Sequence, residues 1–458
     1  RDSSTSRGLG DVYKRQAFAQ VKQATVLVNG ISCDLEQGIL KVEFVTPDVV
    51  RVQYTGENTF MGNGTDVCLS RTVDNPVRWV YTPNPDCYLL KSDSLIVRVD
   101  LSTAFITYLD KEGRLLLQED QNIPRISEKR VTKQVIYDEH SKHIEKTADG
   151  DKEIKNVLRY DIIGHTWKYR INFKWQPLEA LYGWGAHMED YMNLRGKELY
   201  LCQHNLKAMV PVLNSTAGYG LLFDAGCAMM FKDNSEGSFV ELEAAKQIDY
   251  YFMKGKTMDA VVANYRLLTG NSPMMPLYLF GYIQSKERYV SSDDLINTLK
   301  EYRQRQIPID MIVQDWNYWP EGQWGNMSMN PKFYPDKRKL ADEIHSLHAK
   351  LMISIWPNAM NCPQHEEFKR KGWLLSGTSV YDAFNPLARK LYWNYANNEF
   401  FGNGFDAWWC DASEPLDADW TFMKDGYGAD NHRQRWELNT NLLNSVLGAE
   451  RSQLYSLY

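Results

Sequence analysis

Two aspartates, Asp315 and Asp411, each follow directly after a short apolar segment that has the pattern of a β-strand. Tryptophans accompany both of them, in residues 315–319 (DWNYW) and 408–411 (WWCD). A pair of carboxylates in a pocket lined by indole rings is typical of a catalytic or binding site. An aspartate after a strand also commonly caps the next helix, so the functional interpretation depends on the two acids meeting in one place.

Strand-like and helix-like segments alternate in the second half of the chain. This alternation predicts β/α units around a parallel sheet. Ser291 with Asp294 forms a capping box, and Asn385 followed by Pro386 marks another helix start. We predict strands over residues 277–283, 309–314, 351–355 and 405–410, and helices over residues 258–267, 291–305, 337–349 and 386–400.

Polar and aromatic side chains come just past the carboxyl end of each of the four strands. In a β/α barrel these ends converge on one mouth, where catalysis takes place. The sequence therefore predicts a candidate site at the mouth of a barrel of which four of the eight units are present. Its residues are Gln284 after the first strand, Asp315, Trp316 and Trp319 after the second, Trp356 after the third, and Trp409 and Asp411 at the fourth.

The first half of the chain has strand patterns separated by Asp, Asn, Gly and Pro clusters, which predict a large antiparallel sandwich. A charged stretch over residues 129–155 is interpreted as solvated hairpins. We thus predict a multidomain α and β protein. Its parts are an N-terminal β-sandwich over residues 20–257, a connecting helix and linker over residues 258–275, and the first half of a (β/α)8 TIM barrel over residues 276–458.

Residues 404–415 (GFDAWWCDASEP) resemble the nucleophile signature of glycoside hydrolase family 31, a Trp-x-Asp-x-x-Glu core at the end of barrel strand four. Residues 281–289 (GYIQSKERY) and 312–324 (IVQDWNYWPEGQW) resemble the corresponding strands of this family, particularly of its α-xylosidase branch. Residues 182–185 (YGWG) are similar to the family's Tyr-Gly-Leu-Gly turn, with Trp184 in place of Leu. The resemblance runs in order from about residue 20 to residue 458.

The resemblance implies a role for each matching residue. Asp411 would be the nucleophile of a retaining α-glycoside hydrolase, and Glu414 would support the nucleophile loop. Asp315 and Trp356 would hold the sugar before the scissile bond, and Asn205, on a sandwich loop, would reach a sugar hydroxyl. Gln284, Trp316, Trp319 and Trp409 complete the expected substrate-binding set.

The expected substrate is an oligosaccharide of the xyloglucan type, from which non-reducing terminal α-xylosyl residues are removed by double displacement. Trp316, Tyr318, Trp319 and Trp409 predict a narrow aromatic glycon pocket, and Asn317 stands where the α-glucosidase branch tends to have an acid. An α-glucosidase or transglycosylase of the same family is the alternative. A non-catalytic carbohydrate-binding protein is an alternative of another class, and it would form no covalent adduct.

The family's acid/base aspartate belongs on a later barrel strand, after a Thr-Arg-Ser-x-Ala-Gly-like segment. No such segment occurs before Tyr458. We therefore expect a C-terminally truncated fragment that is itself inactive. Residues 1–19 are interpreted as a non-native leader plus a signal-peptide remnant, because Ala17-Phe18-Ala19 has the form of a signal-peptidase site. This favours export to the periplasm or the extracellular space.

Composition excludes several other classes. The net charge of −6 is spread over 458 residues, so we expect no nucleic-acid partner, and no apolar run is long enough for membrane insertion. The seven scattered cysteines indicate neither a disulfide framework nor a zinc site. We expect no cofactor and no metal. His345 and His348 form an H-x-x-H on an outer helix without a third ligand, and Cys362, His365 and Glu366 are interpreted as a surface loop.

Overall fold

Strands with one buried face make up the first half of the chain. In the segment Leu95–Asp100, Leu95, Val97 and Val99 are fully buried while the residues between them are half-buried. This period of two is expected where a strand covers a core with one face. The computed structural model describes residues 19–60, 67–69, 76–147, 150–187, 189–203, 207–235, 237–375 and 378–413.

Twenty strands precede the barrel region in the described residues. Most belong to two antiparallel sheets of eight and ten strands, which confirms the prediction of antiparallel sheets. They are β1 (Val21–Val26), β2 (Gly30–Leu35), β3 (Ile39–Thr46), β4 (Val49–Thr55), β5 (Trp79–Pro83), β6 (Cys87–Ser92), β7 (Leu95–Asp100), β8 (Ile106–Asp110), β9 (Leu115–Glu119), β10 (Ile126–Tyr137), β11 (His143–Thr147), β12 (Gly150–Ile154), β13 (Val157–Lys174), β14 (Leu181–Ala186), β15 (Glu198–Leu201), β16 (Ala208–Ser215), β17 (Tyr219–Phe223), β18 (Met229–Asn234), β19 (Gly237–Ala245) and β20 (Ile248–Lys254).

The order of the eight-stranded sheet is β1-β2-β3-β4-β20-β17-β16-β14. The other sheet runs β15-β18-β19-β13-β9-β8-β7-β6-β5, with β10 paired to β13, while β11 and β12 form a separate hairpin. Aromatic residues join the two large sheets: the rings of Tyr108 and Phe252 stack with centroids 3.9 Å apart, and the hydroxyls of Tyr108 and Tyr250 lie 2.9 Å apart. Aromatic rings are therefore part of the contact between the two sheets.

Helix α1 (Met258–Thr269) follows the last strand of the sandwich. Thr257 caps it by accepting a hydrogen bond from the Ala260 amide. Val261 and Leu268 pack with Tyr251 of β20 in a buried apolar cluster.

By its contacts the chain divides into two units, the first being residues 1–131, 165–202 and 207–271, and the second residues 132–164, 203–206 and 272–458.

The second half contains a parallel sheet whose strands alternate with helices. This confirms the predicted start of a TIM barrel. In the described residues no helix is both long and apolar enough to cross a membrane. The elements are β21 (Ile283–Gln284), α2 (Ser292–Gln304), β22 (Met311–Gln314), α3 (Lys337–Ser346), β23 (Lys350–Ile355), α4 (Pro363–Lys371), α5 (Pro386–Glu399) and β24 (Ala407–Cys410).

The predicted helix starts are confirmed. The Ser291 hydroxyl accepts a hydrogen bond from the Asp294 amide at 3.1 Å, and the Asp294 carboxylate accepts one from the Val290 amide at 3.1 Å. The Asn385 side chain accepts hydrogen bonds from the amides of Leu387 and Ala388, with Pro386 in the first turn. Local side-chain chemistry therefore fixes where both helices begin.

The predicted strand over residues 277–283 is wrong for most of its length. Leu277–Phe280 forms a 3-10 turn, and only Ile283–Gln284 pairs with β22. The turn is closed by hydrogen bonds from the Leu279 and Gly281 amides to the Pro276 and Tyr278 carbonyls. Tyr278 and Leu279 then pack against the apolar cluster of Met311, Val313 and Met352, so an apolar run covers the end of the sheet instead of extending it.

The interpretation of Cys362, His365 and Glu366 as a surface loop is also wrong. Cys362 is 3% exposed at the N-cap of α4, and the other two residues lie in the first turn of that helix. Pro363 occupies the first turn, and Gly372 ends the helix in the left-handed conformation at φ 67°. These are ordinary start and stop signals for a helix.

Asp406 joins three elements at the amino-terminal end of β24. Its carboxylate contacts His345 Nε2 at 2.7 Å and Lys350 Nζ at 2.9 Å, and it accepts a hydrogen bond from the Leu351 amide at 2.9 Å. Burial alone raises the pKa of Asp406, but the Leu351 amide, His345 and Lys350 together hold it below its ordinary value. His345 of the H-x-x-H pair is thus engaged with a carboxylate.

We expect Asp406→Asn to lower the free energy of unfolding by about 2 kcal/mol at pH 7, because hydrogen bonds to a charged group are lost. A carboxyl with a lowered pKa stabilises the fold above its unfolded-state pKa, and this contribution disappears as the pH falls below about 4. Urea unfolding at pH 7 and pH 3.5 measures the loss of unfolding free energy and its dependence on pH. Asp342→Asn, which removes an exposed pair with Arg338, is the control. Equal losses for the two variants at pH 7 would contradict the prediction.

Candidate active site

The register of the parallel sheet decides which side chains meet at the barrel mouth. Gln314 pairs with Ile353, and Ile355 pairs with Cys410. Successive residues of a strand face opposite sides of the sheet, and paired residues of parallel strands face the same side. One side therefore carries, from the bottom of the sheet upward, Met311, Val313 and Asp315 on the second strand, Met352, Ser354 and Trp356 on the third, and Ala407, Trp409 and Asp411 on the fourth.

The opposite side of the same strands faces the helices. Trp408, one residue from Trp409, packs edge-on against Trp393 of α5 with ring centroids 5.7 Å apart. Ile353 is fully buried on this side. The side-chain Nε2 of Gln314 donates a hydrogen bond to the Tyr289 carbonyl at 3.1 Å. The face that carries Asp315 and Asp411 is therefore the inner face of the barrel sheet.

Asp315 lies in a half-buried environment with several hydrogen-bond donors. The Trp316 amide donates to its Oδ1 at 2.8 Å. Burial raises the pKa of the Asp315 carboxyl, and the negative charge of Glu287 adds to this rise. The Trp316 amide and the hydroxyls of Ser354 and Ser285 oppose it, with a pKa above the ordinary value as the net result. Asp315 can therefore accept hydrogen bonds from a ligand while it is ionised.

Asp411 extends the ladder of β24 by one residue. Its amide donates a hydrogen bond to the Ile355 carbonyl at 3.0 Å, and the Ala412 amide donates to its Oδ1 at 2.8 Å. Ala412 then turns the chain with φ 52°. The carboxylate of Asp411 is thus held at the end of a strand by its own backbone, as Asp315 is by the Trp316 amide.

Four tryptophans pack together beside the two acids. Trp324 is in contact with the other three, with ring centroids 5.5 Å from Trp316, 5.4 Å from Trp319 and 5.2 Å from Trp356. Trp319, Trp324 and Trp356 are buried. The buried Nε1 atoms of Trp324 and Trp356 find no hydrogen-bond partner in the described part of the chain. We call these four residues the tryptophan cluster.

The backbone around Trp324 explains why it lies at the centre of this cluster. The Met360 amide donates a hydrogen bond to the Trp324 carbonyl at 2.9 Å, which ties the loop after β22 to the loop after β23. Gly325 follows with φ 64°, and a Cβ atom there would lie 1.9 Å from the Asn358 carbonyl oxygen. Only glycine permits this approach. Trp324 was not among the predicted site residues, although Trp-Gly in a long loop was a visible signal.

Three predicted pocket residues are not members of the tryptophan cluster, although one of them, Tyr318, packs against Trp319 of the cluster. Gln284 Oε1 accepts hydrogen bonds from the hydroxyls of Tyr282 and Tyr302, both at 2.6 Å, and its amide nitrogen donates to the Ser285 carbonyl. Tyr318 is 1% exposed, and its hydroxyl donates to the Ser354 carbonyl at 2.9 Å, so it forms part of the wall behind the pocket. Trp409 is on the inner face but 49% exposed.

Asn205 and Glu414 lie outside the described residues, so their predicted roles stay predictions. In the parts of the chain that the structure describes, no group of three His, Cys, Asp or Glu side chains could hold a metal ion. A cation also contacts the cluster, since the guanidinium of Arg288 lies 5.6 Å from the Trp316 ring centroid. The arrangement combines two carboxylates, indole faces and unpaired indole N–H donors, which suits a polyhydroxylated ring with apolar faces.

Comparison with known proteins relates the second half of the chain to one enzyme family. Residues 272–456 match the model of the glycosyl hydrolases family 31 TIM-barrel domain. This part of the chain is therefore similar to the barrel domain of glycosyl hydrolase family 31. The alpha-xylosidase of Saccharolobus solfataricus is 35% identical over 260 residues, which cover 55% of this chain and 35% of the relative. A protein of Pseudescherichia vulneris named an uncharacterized family 31 glucosidase is 29% identical over 270 residues, covering 55% of this chain and 50% of the relative.

Solved family 31 structures share the fold. The alpha-xylosidase of Xanthomonas citri superposes with a TM-score of 0.72 at 20% identity, over 94% of this chain and 61% of its own. An alpha-xylosidase from a soil metagenome, solved with xylose, superposes with a TM-score of 0.73 at 21% identity. The match covers 94% of this chain and 67% of that protein. The chain spans about a third to a half of the length of the curated relatives described above.

We expect Trp324→Leu to loosen the tryptophan cluster, because three ring contacts depend on this side chain. Truncating a buried tryptophan typically costs about 3 kcal/mol of stability. Binding of a xylose-configured ligand, measured by calorimetry, should weaken about tenfold as the neighbouring rings lose their support. Trp393→Leu removes a tryptophan from the outer side of the sheet and is the matched control. It should destabilise the fold yet leave the affinity unchanged. Equal affinities for all three proteins would contradict the prediction.

Proposed function

We propose that the full-length protein is a retaining α-glycoside hydrolase that removes terminal α-xylosyl residues from xyloglucan-type oligosaccharides. The observation that carries this proposal is the common inner face of Asp315, Trp356 and Asp411, set by the register of β22, β23 and β24. The match of residues 272–456 to the family 31 barrel domain and the similarity to a relative named alpha-xylosidase support it. The same residues would be of little use to a protein that only binds sugar, since a lectin needs no nucleophile-like loop.

Asp411 is assigned as the nucleophile. Its ionised carboxylate would attack the anomeric carbon while the bond from that carbon to the leaving oxygen breaks, which gives a covalent glycosyl-enzyme and inverts the configuration once. Water then attacks the same carbon, releases the carboxylate and restores the original configuration. Glu414 is proposed to support the loop that presents Asp411. Protonation of the leaving oxygen requires a second carboxyl about 5 Å away, a role for which we assign no described residue.

Asp315 and the tryptophan cluster are assigned to the sugar in the subsite before the scissile bond. The Asp315 carboxylate would accept hydrogen bonds from ring hydroxyls, and Trp356 with Trp316 and Trp319 would line the apolar faces. The unpaired Nε1 atoms of Trp324 and Trp356 support this assignment, because buried donors favour a ligand that offers oxygen acceptors. Asn205 is kept as a proposed contact from the sandwich. Gln284 is left out, since tyrosine hydroxyls and the Ser285 carbonyl already occupy its amide.

The preference for xylose rests on the closed packing around the cluster. Trp319, Trp324 and Trp356 are each less than 10% exposed, which leaves little room for the hydroxymethyl group that distinguishes glucose from xylose. Discrimination of one such group is worth about 1 to 3 kcal/mol. An α-glucosidase or a transglycosylase is the second candidate, because one relative is named a glucosidase.

The test is mechanism-based labelling of the full-length protein with 5-fluoro-α-xylosyl fluoride and with its glucosyl counterpart. We expect a xylosyl adduct on the peptide that contains Asp411, found by intact and peptide mass spectrometry. Asp411→Ala should form no adduct, whereas Asp342→Asn, an exposed carboxylate on α3, should label like the wild type. A glucosyl adduct alone would move the assignment to α-glucosidase. A folded protein that no reagent labels would be a binding protein.

A further inference from the structure

Ser354 occupies the position between the two acids on the inner face. Because Gln314 pairs with Ile353, the next residues of the two strands, Asp315 and Ser354, stand side by side. On its other side Ser354 pairs with Trp409 of β24. The Ser354 side chain therefore lies in the same row as Asp315 and one step below Trp356. It was not among the residues that the sequence pattern singled out.

The environment of Ser354 is closed. The residue is 0% exposed in the centre of the sheet, where strand positions are otherwise occupied by Leu351, Ile353 and Ile355. Its Oγ has no partner within hydrogen-bond distance among the residues that the structure describes. An unpaired buried hydroxyl costs about 1 to 3 kcal/mol, so a serine at this position needs an acceptor. The carboxylate of Asp315 is the charged acceptor beside it.

The backbone of Ser354 is fixed to the loop that follows Asp315. The Tyr318 hydroxyl donates to the Ser354 carbonyl at 2.9 Å. Tyr318 is held in turn by Trp319, with ring centroids 5.1 Å apart, and by Phe400, with centroids 5.5 Å apart. Asp315 and Ser354 are thus attached to one another through the wall of the pocket as well as through the sheet. Their side chains have little freedom to separate.

We propose that Ser354 is a positioning residue, whose hydroxyl donates to the Asp315 carboxylate and orients it toward the bound sugar. This inference rests on the proposed function, in which Asp315 receives the sugar hydroxyls. Trp316 supplies one donor from the backbone, at 2.8 Å from Oδ1, and Ser354 supplies a second from the neighbouring strand. Two donors from different elements hold a carboxylate in one orientation, whereas one donor leaves it free to rotate.

The hydroxyl also affects the charge of Asp315. Burial raises the pKa of this carboxyl, and Ser354 opposes the rise. Loss of the hydroxyl therefore raises the pKa further, and the protonated form, which cannot accept hydrogen bonds on both oxygens, becomes populated at a higher pH. Glu287 acts in the opposite sense to Ser354 on the same carboxyl, whereas Ser285 acts in the same sense. Substitution of Ser354 leaves the effects of Glu287 and Ser285 on the Asp315 pKa unchanged.

The test measures how binding of a xylose-configured iminosugar depends on pH, by calorimetry between pH 4 and pH 8 with the full-length protein. For Ser354→Ala we expect about tenfold weaker binding near pH 6, and an acid limb displaced upward by about one pH unit. Ser354→Cys keeps the size but donates weakly, so it should lie between alanine and the wild type. Ser346→Ala removes an exposed hydroxyl on α3 that donates to the Glu343 carbonyl, and should match the wild type.

Two outcomes separate this inference from the proposed function. If Asp315→Asn weakens binding but Ser354→Ala and Ser354→Cys both reproduce the wild-type pH curve, the positioning role of Ser354 is overturned and the proposed function stands. If Asp315→Asn binds as tightly as the wild type, the assignment of Asp315 to the sugar fails, and the role of Ser354 fails with it. Circular dichroism of each variant confirms that it is folded before binding is measured.

Discussion

The parallel register of β22, β23 and β24 is the constraint on which the rest of the candidate site depends. A slip of one residue would turn Asp315 toward the helices and bring Gln314 to the mouth, since neighbouring residues of a strand face opposite sides. The register is held by apolar packing on both sides of the sheet. Met311, Val313 and Met352 form a cluster on the inner side, and Ile353 with Trp408 is packed on the outer side. The chemistry at the mouth therefore depends on buried residues that never contact a ligand.

The tryptophan cluster adds a second constraint at the same end of the sheet. Its members come from the loops after two different strands, and they are joined by the hydrogen bond from the Met360 amide to the Trp324 carbonyl. Edge-to-face and tilted ring contacts of 5.2–5.5 Å restrict how each indole can turn. This packing also buries the indole N–H groups of Trp324 and Trp356 without a partner in the described part of the chain. Such donors are costly in an empty pocket and useful in one that holds a hydroxylated ligand.

Much of this arrangement could be predicted from the sequence, because it is encoded locally. Ser291, Asn385 and Pro386 mark helix starts through short-range hydrogen bonds, and runs such as residues 351–355 are long enough to indicate a buried strand. Most errors arose where tertiary contacts decide, but helix α4 is an exception, because its start and stop signals are local. The apolar residues 277–280 resemble a strand, but they cover the end of the sheet, and α4 was missed although Pro363 and Gly372 frame it. The central position of Trp324 depends on a contact between two loops, which no local pattern encodes.

Polar side chains in the barrel sheet differ in how their hydrogen-bonding groups are occupied, and this difference distinguishes its outer face from its inner face. Gln314 and Asp406 are polar, and both are bound by protein groups. The side-chain nitrogen of Gln314 donates to the Tyr289 carbonyl, although its Oε1 has no partner among the described residues. Asp406 is bound by His345, Lys350 and the Leu351 amide. Asp315 differs because its surroundings are the Trp316 amide, the hydroxyls of Ser354 and Ser285, and the charge of Glu287, with no cationic side chain among them. A buried carboxylate that keeps capacity for a further donor is stable only if something supplies that donor. In the proposed function a bound sugar hydroxyl would meet this need, and for this reason the proposed site would suit a carbohydrate better than an apolar ligand.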